Sequence, residues 1–285
     1  MRNLDHFVMP VADLASARAR YTSLGFTVAN DANHPFGTQN CCVFFGDATF
    51  IEPLTIGNPD NYRAALQAEN AFVKGHSSYT AKHGSEGFSH LVVKSENAKA
   101  DRAAFVEAGI STGNIVDFCR IFTKPDGTTG EVAFSLAFAT PHASSSAAFF
   151  ACEVVKAVQG GRGALVHHAN GALCTKQVVL SANKPSDHTE FLSHFLDVEP
   201  QTIENGLSYT TETGTVEIIT VDHCNHKYAP AFASNLSLQA LVLQVARLTE
   251  TRKLLAQNSV RVHDRQDRII VPPALGQGGT IVFEE

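Results

Sequence analysis

A unit of one strand and one helix recurs four times along the chain, and this repeat constrains the fold more than any other feature of the sequence. In residues 4–28 and 88–110 an apolar strand leads into a helix that ends at a glycine. Residues 173–198 and 238–260 follow the same plan. Short β-rich segments separated by Gly, Asp or Asn turns come after the helices, for example 41–45, 49–54, 131–138, 207–211, 216–221, 269–271 and 280–283. The repeat predicts an α+β fold of four tandem βαβββ modules.

Equivalent positions of the first two copies carry similar residues. His6 and His90 occupy the same place in the first strand of each copy. Asp13 and Asn97 follow seven residues later as candidate helix N-caps. Of the 13 histidines in the chain, only His6 and His90 coincide in this way. We expect most of the others, including His76, to be exposed to solvent.

The chain of 285 residues is long enough for two domains. The glycine-rich stretch 157–172 is the best candidate linker, so we predict an N-terminal domain over residues 1–159 and a C-terminal domain over residues 160–285. An amphipathic helix over about residues 58–75 is predicted as an insertion between the first two modules.

Composition excludes several classes of partner. The net charge of −6 disfavours nucleic acid, and no apolar stretch is long enough to span a membrane. The N-terminus lacks the apolar core of a signal peptide, and the six cysteines form no CxxC pair. We expect a soluble cytoplasmic protein, monomeric or homodimeric, that acts on a small molecule.

Several short segments carry a family resemblance. They are LDHFVMPVADL (4–14), LGF (24–26), HPFGTQN (34–40), FIEPL (50–54), FFACE (149–153), HHANGA (167–172) and the terminal GQGGTIVFEE. With the repeat, they resemble the vicinal oxygen chelate superfamily of glyoxalase I, bleomycin-resistance proteins and extradiol dioxygenases. Within it, the chain looks like the glyoxalase-like group of four-module proteins. The resemblance implies open, cup-shaped mixed sheets with helices outside.

The resemblance also implies a divalent metal ion in the cup, held by the first and last strands of two modules. It assigns His6, Glu52 and His90 as ligands, with Glu153 closing the set. Cys152 is the alternative to Glu153, because adjacent residues of a strand point to opposite faces. Glu153 is preferred since carboxylates close both modules in glyoxalase I. Such a mixed set suits Zn, Ni, Co, Mn or Fe(II).

Other roles for these residues remain open. A histidine in a strand can be a hydrogen-bonded structural residue, and a buried arginine could pair with Glu52. His34, Thr38 and Asn40 are predicted to bind substrate from a loop at the cup, and His168 from the linker; local turns are the alternative. The C-terminal half is expected to be degenerate, since Gln177 and Ala240 replace the histidines and Glu284 and Glu285 end the chain in a frayed terminus.

The leading functional hypothesis is a metal-dependent lyase or isomerase acting on a small substrate with vicinal oxygens. The metal would stabilise an enediolate-like anion as a Lewis acid, and Glu153 or Glu52 would carry the proton as the catalytic residue. A non-catalytic binding or resistance protein and an Fe(II) extradiol dioxygenase are the alternatives.

Overall fold

The computed structural model describes residues 1–111, 113–123, 129–157, 162–228 and 235–285, without the side chains of Phe122 and Thr123. The predicted domain boundary at residues 159 and 160 lies outside these ranges. Within them, no helix has both the length and the apolar character needed to cross a membrane.

Four βαβββ modules follow one another, as the repeat predicts. The N-terminal half contains β1 (Leu4–Pro10), α1 (Leu14–Ser23), β2 (Ala32–Asn33), β3 (Thr38–Asn40), β4 (Val43–Phe44), β5 (Phe50–Ile56), α2 (Pro59–Gln67), α3 (Ala71–His83), β6 (His90–Ser95), α4 (Ala98–Glu107), β7 (Ile115–Thr123), β8 (Thr129–Ala139) and β9 (Ala148–Lys156). The C-terminal half contains β10 (Ala172–Ala182), α5 (Thr189–Leu196), β11 (Gln201–Ile203), β12 (Gly206–Thr211), β13 (Gly214–Thr220), α6 (Val221–Tyr228), β14 (Ser237–Val245), α7 (Leu248–Gln257), β15 (His263–Asp264), β16 (Arg268–Val271) and β17 (Thr280–Glu284).

Each half forms one mixed sheet. The N-terminal order is β2-β3-β5-β1-β6-β9-β8-β7, with β4 on β5, and the C-terminal order is β11-β12-β13-β10-β14-β17-β16-β15. In the N-terminal sheet β1 runs antiparallel to β6 and parallel to β5, while β6 runs parallel to β9. The first and last strands of both modules therefore meet in the middle of the sheet.

Local sequence explains the ends of the repeated helices. Asp13 and Asn97 cap α1 and α4, and each side chain accepts a hydrogen bond from the backbone N–H three residues later. Gly25 and Gly109 follow the two helices with φ angles of +85° and +71°. Glycine adopts this left-handed conformation without a steric penalty, so both helices end where the sequence predicts.

The two halves share one hydrophobic core on the face of the sheets that α1, α4, α5 and α7 cover. Phe26 of the first module stacks on Phe283 near the C-terminus, with ring centroids 5.8 Å apart. Phe149 of β9 meets Phe191 of α5 edge to face at 4.9 Å. These contacts hold the halves together as one packed unit.

The opposite, concave face of the N-terminal sheet is covered by the predicted insertion, which forms two helices and extends to His83. Tyr62 of α2 and Phe72 and Val73 of α3 pack in one cluster with residues of the sheet. His76 of α3 is only 3% exposed, and its Nδ1 lies 2.8 Å from the Tyr62 hydroxyl. The expectation that His76 is exposed is therefore wrong, because α3 continues past residue 75 and packs His76 against the sheet.

The C-terminal sheet has an analogous cover. Cys224 and Tyr228 of α6 pack on Val179 of β10. Their burial stabilises the helix in this otherwise polar segment.

Candidate metal centre

His6 and Glu52 lie on the concave face of the N-terminal sheet. In β1 and β5, Val8 pairs with Glu52, so His6 sits diagonally across from the carboxylate. The His6 Nε2 atom is 3.6 Å from Glu52 Oε2, and both side chains are less than a tenth exposed. The structure thus brings together two of the predicted ligands.

A β-bulge fixes the orientation of His6. The pairing of β1 with β6 shifts register between Leu4 and His6, and the Asp5 carboxylate lies beside the imidazole, with Oδ1 2.5 Å from His6 Nδ1. An ionised carboxylate can only accept, so Nδ1 carries the proton and, in the neutral ring, the Nε2 lone pair faces Glu52. Carboxylates orient metal-binding histidines in this way.

His34 approaches the same carboxylate from the other side. The turn between β2 and β3 places His34 Nε2 3.7 Å from Glu52 Oε1, and Thr38 Oγ1 holds its Nδ1 at 2.8 Å. Burial, followed by the positive charge of Arg120, lowers the pKa of His34 well below its usual value. The imidazole is therefore neutral at pH 7 and available as a ligand.

Glu52 is 4% exposed and has no Lys or Arg ion-pair partner among the described residues. Its Oε1 accepts a hydrogen bond of 2.5 Å from Asn40 Nδ2. A buried carboxylate without a cation is costly, and the nearby His34 is neutral. A divalent cation at this point would supply the missing charge.

The distance from each imidazole to the carboxylate is close to that between two ligands of one ion. Metal–ligand bonds of 2.0–2.2 Å place neighbouring ligands about 3.0–3.4 Å apart, depending on the coordination geometry. The two imidazole–carboxylate separations exceed this range by only a few tenths of an ångström. The two imidazoles thus flank Glu52, each near a different oxygen of its carboxylate.

Aromatic rings enclose the group. His6 stacks on Phe50 with centroids 4.5 Å apart, and His34 stacks on Phe36 at 4.9 Å. Phe118 meets His34 edge-on at 5.5 Å. These rings exclude water and strengthen electrostatic interactions inside the cup.

A family profile described as a glyoxalase-like domain matches residues 4–196, about two thirds of the chain. The chain belongs to this glyoxalase-like domain family. The predicted resemblance to the vicinal oxygen chelate superfamily is thereby confirmed, whereas a search of curated protein sequences finds no match to this glyoxalase-like chain.

Solved structures share its fold at low sequence identity. A hypothetical protein from Staphylococcus aureus aligns over 100% of this chain and 99% of its own, with a TM-score of 0.70 and 10% identity. A mutant 4-hydroxymandelate synthase from Streptomyces coelicolor aligns over 100% and 93%, with a TM-score of 0.62 and 10% identity. The Mn(II)-bound glyoxalase from Novosphingobium aromaticivorans aligns over 99% and 82%, with a TM-score of 0.53 and 9% identity.

Cys152, and not Glu153, faces the cup of the glyoxalase-like chain. Cys152 is 4% exposed and packs with the concave cluster. Glu153 lies on the other face, where its Oε2 accepts a 2.8 Å hydrogen bond from the Ala98 N–H at the start of α4. The preference for Glu153 is corrected here, because strand alternation puts it against a helix N-terminus that favours a carboxylate.

His90 shares the concave face but is not brought to Glu52. Val8 separates the two in the sheet, since it pairs with Glu52 on one side and with His90 on the other. The His90 ring stacks on Phe72 at 5.4 Å, and a Cβ on Gly75 would come within 2.8 Å of His90 Nε2. The cover helix α3 therefore occupies the space in front of this nitrogen.

Thr38 and Asn40 lie in the cup, but not on an open loop that binds substrate. Thr38 bonds His34, and Asn40 bonds Glu52. His168 lies elsewhere. Its Nδ1 accepts from the Thr27 N–H at 3.1 Å, and its Nε2 is 2.9 Å from the Phe44 carbonyl oxygen. His168 thus ties the linker region to the first module and takes no part in the centre.

Sequence reasoning missed Asp5 as a member of the site. Ligand atoms of Asp5, His6 and Cys152 lie within 4.8 Å of one another, and this is the one such group of three or more found among the described residues. Simple alternation places Asp5 on the opposite face from His6. Only the bulge, which the sequence does not reveal, brings them together.

The C-terminal sheet carries the corresponding positions in a different chemical form. Gln177 takes the place of His6, and Glu217 pairs with Val179 as Glu52 pairs with Val8. Glu217 is partly exposed and therefore avoids the cost of a buried carboxylate.

Ion pairs fill the rest of this second cup. Glu284 is 9% exposed and pairs with Lys176 at 2.8 Å and with Arg268 at 3.1 Å. The expectation of a frayed terminus at Glu284 is wrong, because these two cations and the pairing of β17 with β14 hold it. The carboxylate is therefore already neutralised by these two cations.

Proposed function

We propose that the N-terminal cup holds a divalent metal ion through His6, His34 and Glu52, in an enzyme that acts on a small substrate with two adjacent oxygens. The buried Glu52 carboxylate between two oriented imidazoles carries this proposal. His34 replaces His90 and Glu153 of the sequence-based set, since α3 lies in front of the His90 Nε2 atom and Glu153 bonds the start of α4. A bound cation would act as a Lewis acid toward the substrate oxygens.

Hydrogen bonds from neighbouring residues would orient the proposed ligands. Asp5 and Thr38 orient the two imidazoles, while Asn40 holds one oxygen of Glu52. Glu52 is the carboxylate that we propose to transfer the proton in a lyase or isomerase reaction. The aromatic walls keep water from the reacting atoms.

Replacing Glu52 with glutamine should weaken metal binding by roughly 100-fold or more, because the amide removes the charge while keeping the shape. The chain offers a matched control in Glu217→Gln, which makes the same change at the equivalent register position. Metal content would be measured by mass spectrometry on untagged protein incubated with Mn, Zn, Ni or Fe(II) and then desalted.

The proposal expects wild type and Glu217→Gln to retain about one equivalent of metal and Glu52→Gln to lose it. If wild-type protein retains none of the four metals, the chain is a binding module rather than a metalloenzyme. Equal retention by Glu52→Gln would show that the metal site lies elsewhere.

An Fe(II) extradiol dioxygenase is the second candidate. The two-histidine, one-carboxylate set favours it, since this set is typical of non-haem iron oxygenases. Oxygen uptake by Fe(II)-loaded protein in the presence of a catechol, absent from the Mn(II)-loaded form, would support this reaction over an isomerase.

A further inference from the structure

Arg120 extends into the cup from β7. It follows Val116 and Phe118 at alternate positions of this strand, and both of those side chains pack in the concave cluster. Its guanidinium carbon lies 5.8 Å from the centroid of the Phe134 ring on β8. The side chain thus carries a positive charge toward the same aromatic-lined space as His34.

One nitrogen of this guanidinium is buried without a partner. Arg120 Nη1 has essentially no solvent contact and no hydrogen-bond acceptor in the part of the chain that the structure describes. An unsatisfied buried donor, charged in this case, costs free energy in the absence of a ligand. Such a group is therefore positioned for an acceptor that arrives from outside.

The charge of Arg120 reaches the groups around Glu52. Burial and then Arg120 lower the pKa of His34. Burial also raises the pKa of the Cys42 and Cys152 thiols; the charge of Glu52 adds to that rise, and the charge of Arg120 opposes it. Arg120 and Glu52 thus act on the same two thiols.

The nearby carboxylates of the described residues are engaged elsewhere. Asp5 bonds His6, Glu52 bonds Asn40, and Glu153 caps α4. Arginine presents a planar fork of donors that matches a carboxylate in two parallel hydrogen bonds. Among the described residues, no carboxylate is paired with the Arg120 guanidinium.

A second arginine near the cup is already committed. Arg162 Nη1 donates to the Ala48 carbonyl oxygen at 2.9 Å, and its guanidinium lies over the rings of Phe44 and Phe50. Arg162 closes one wall of the site, whereas Arg120 remains available to a ligand.

We propose that Arg120 binds a carboxylate of the substrate, which is therefore a small organic anion whose adjacent oxygens face Glu52 and His6. This assignment rests on the proposed function, because it places the reacting oxygens at the same centre. It adds the chemical class of the substrate and the residue that selects it.

Oxalate and its neutral diamide, oxamide, are matched probes, since both carry vicinal oxygens and only oxalate is charged. Binding would be measured by calorimetry on desalted Mn(II)-loaded protein and on metal-free protein. Arg120→Ala should weaken oxalate binding about 10- to 100-fold, the effect of one or two charge-assisted hydrogen bonds. The oxalate affinity of Arg120→Lys should lie between those of wild type and Arg120→Ala, because lysine keeps the charge but lacks the planar set of donors.

Three controls make the result specific. Oxamide binding and metal content should not change in Arg120→Ala. Arg63→Ala removes an exposed arginine that pairs with Asp60, and it should bind oxalate like the wild type. Circular dichroism would show that each variant is folded.

The inference and the proposed function can fail separately. If metal binds but oxalate affinity in Arg120→Ala stays within twofold of wild type, or wild type binds no oxalate, the role of Arg120 is overturned. If no metal binds, oxalate binding to metal-free protein that depends on Arg120 still supports the inference, and its absence overturns it.

Discussion

Replacing Gly37 with alanine should lower the free energy of unfolding by roughly 3–5 kcal/mol. Gly37 lies in the turn that carries His34, with a φ of +90°. A Cβ there would come 2.3 Å from the Tyr62 backbone nitrogen and 2.5 Å from the Asn58 carbonyl oxygen. Backbone atoms at the start of α2 cannot give way without moving the helix, so the turn and the cover would separate.

Gly84→Ala is the matched control, because Gly84 has a φ of +85° and a Cβ there would meet no atom within 4 Å. It carries the same backbone strain without the clash and should cost about 1 kcal/mol. Urea denaturation of the two variants would measure the difference. Equal destabilisation would show that α2 does not pack on the turn.

The metal affinity of any folded Gly37→Ala protein should also fall, since the turn positions His34.

Acidification from pH 7.5 to pH 5 should destabilise the protein through two buried histidines, one in the cover and one in the sheet beneath it. Burial lowers the pKa of His90 to about 3 and that of His76 to about 4. Both stay neutral in the folded state at pH 5, whereas the unfolded chain takes up protons below about 6.5. Their stabilisation is present above pH 6.5 and is lost as the pH falls, by about 2 kcal/mol for each histidine at pH 5.

His90→Gln isolates one of these contributions. The variant cannot take up this proton, so the stability difference between pH 7.5 and pH 5 should shrink by about 2 kcal/mol relative to wild type. His226→Ala, at an exposed histidine of α6, should leave the difference unchanged. Unfolding midpoints in urea at both pH values would test this, and an unchanged pH dependence in His90→Gln would contradict the burial argument.

The register of the repeat was informative because the side-chain period of a strand is two. Once His6 and Glu52 were placed in the first and last strands of one module, alternation and pairing brought them to one face. The same rule gave two candidates in β9, and it could not choose between Cys152 and Glu153. That choice depends on the start of α4, where the Ala98 N–H donates a hydrogen bond to the Glu153 carboxylate.

Burial was harder to read than register. The sequence predicts exposure for His76 because its neighbours are polar, and for Glu284 because it lies at the end of the chain. In the fold, α3 packs on the sheet and buries His76, while Lys176 and Arg268 come from distant strands to neutralise Glu284. These environments are made by segments far apart in the chain, so a local pattern does not reveal them.

Periodicity and capping residues in the sequence were sufficient for the four modules and their helix ends, since these depend on contacts within a module. The family resemblance then placed His6 with Glu52. Tertiary structure alone decided the centre itself. A bulge turned Asp5 toward His6, a hairpin carried His34 onto Glu52, and the cover helix placed Gly75 against His90. Each of these follows from strand register and packing between separate elements, which the order of residues along one strand does not specify.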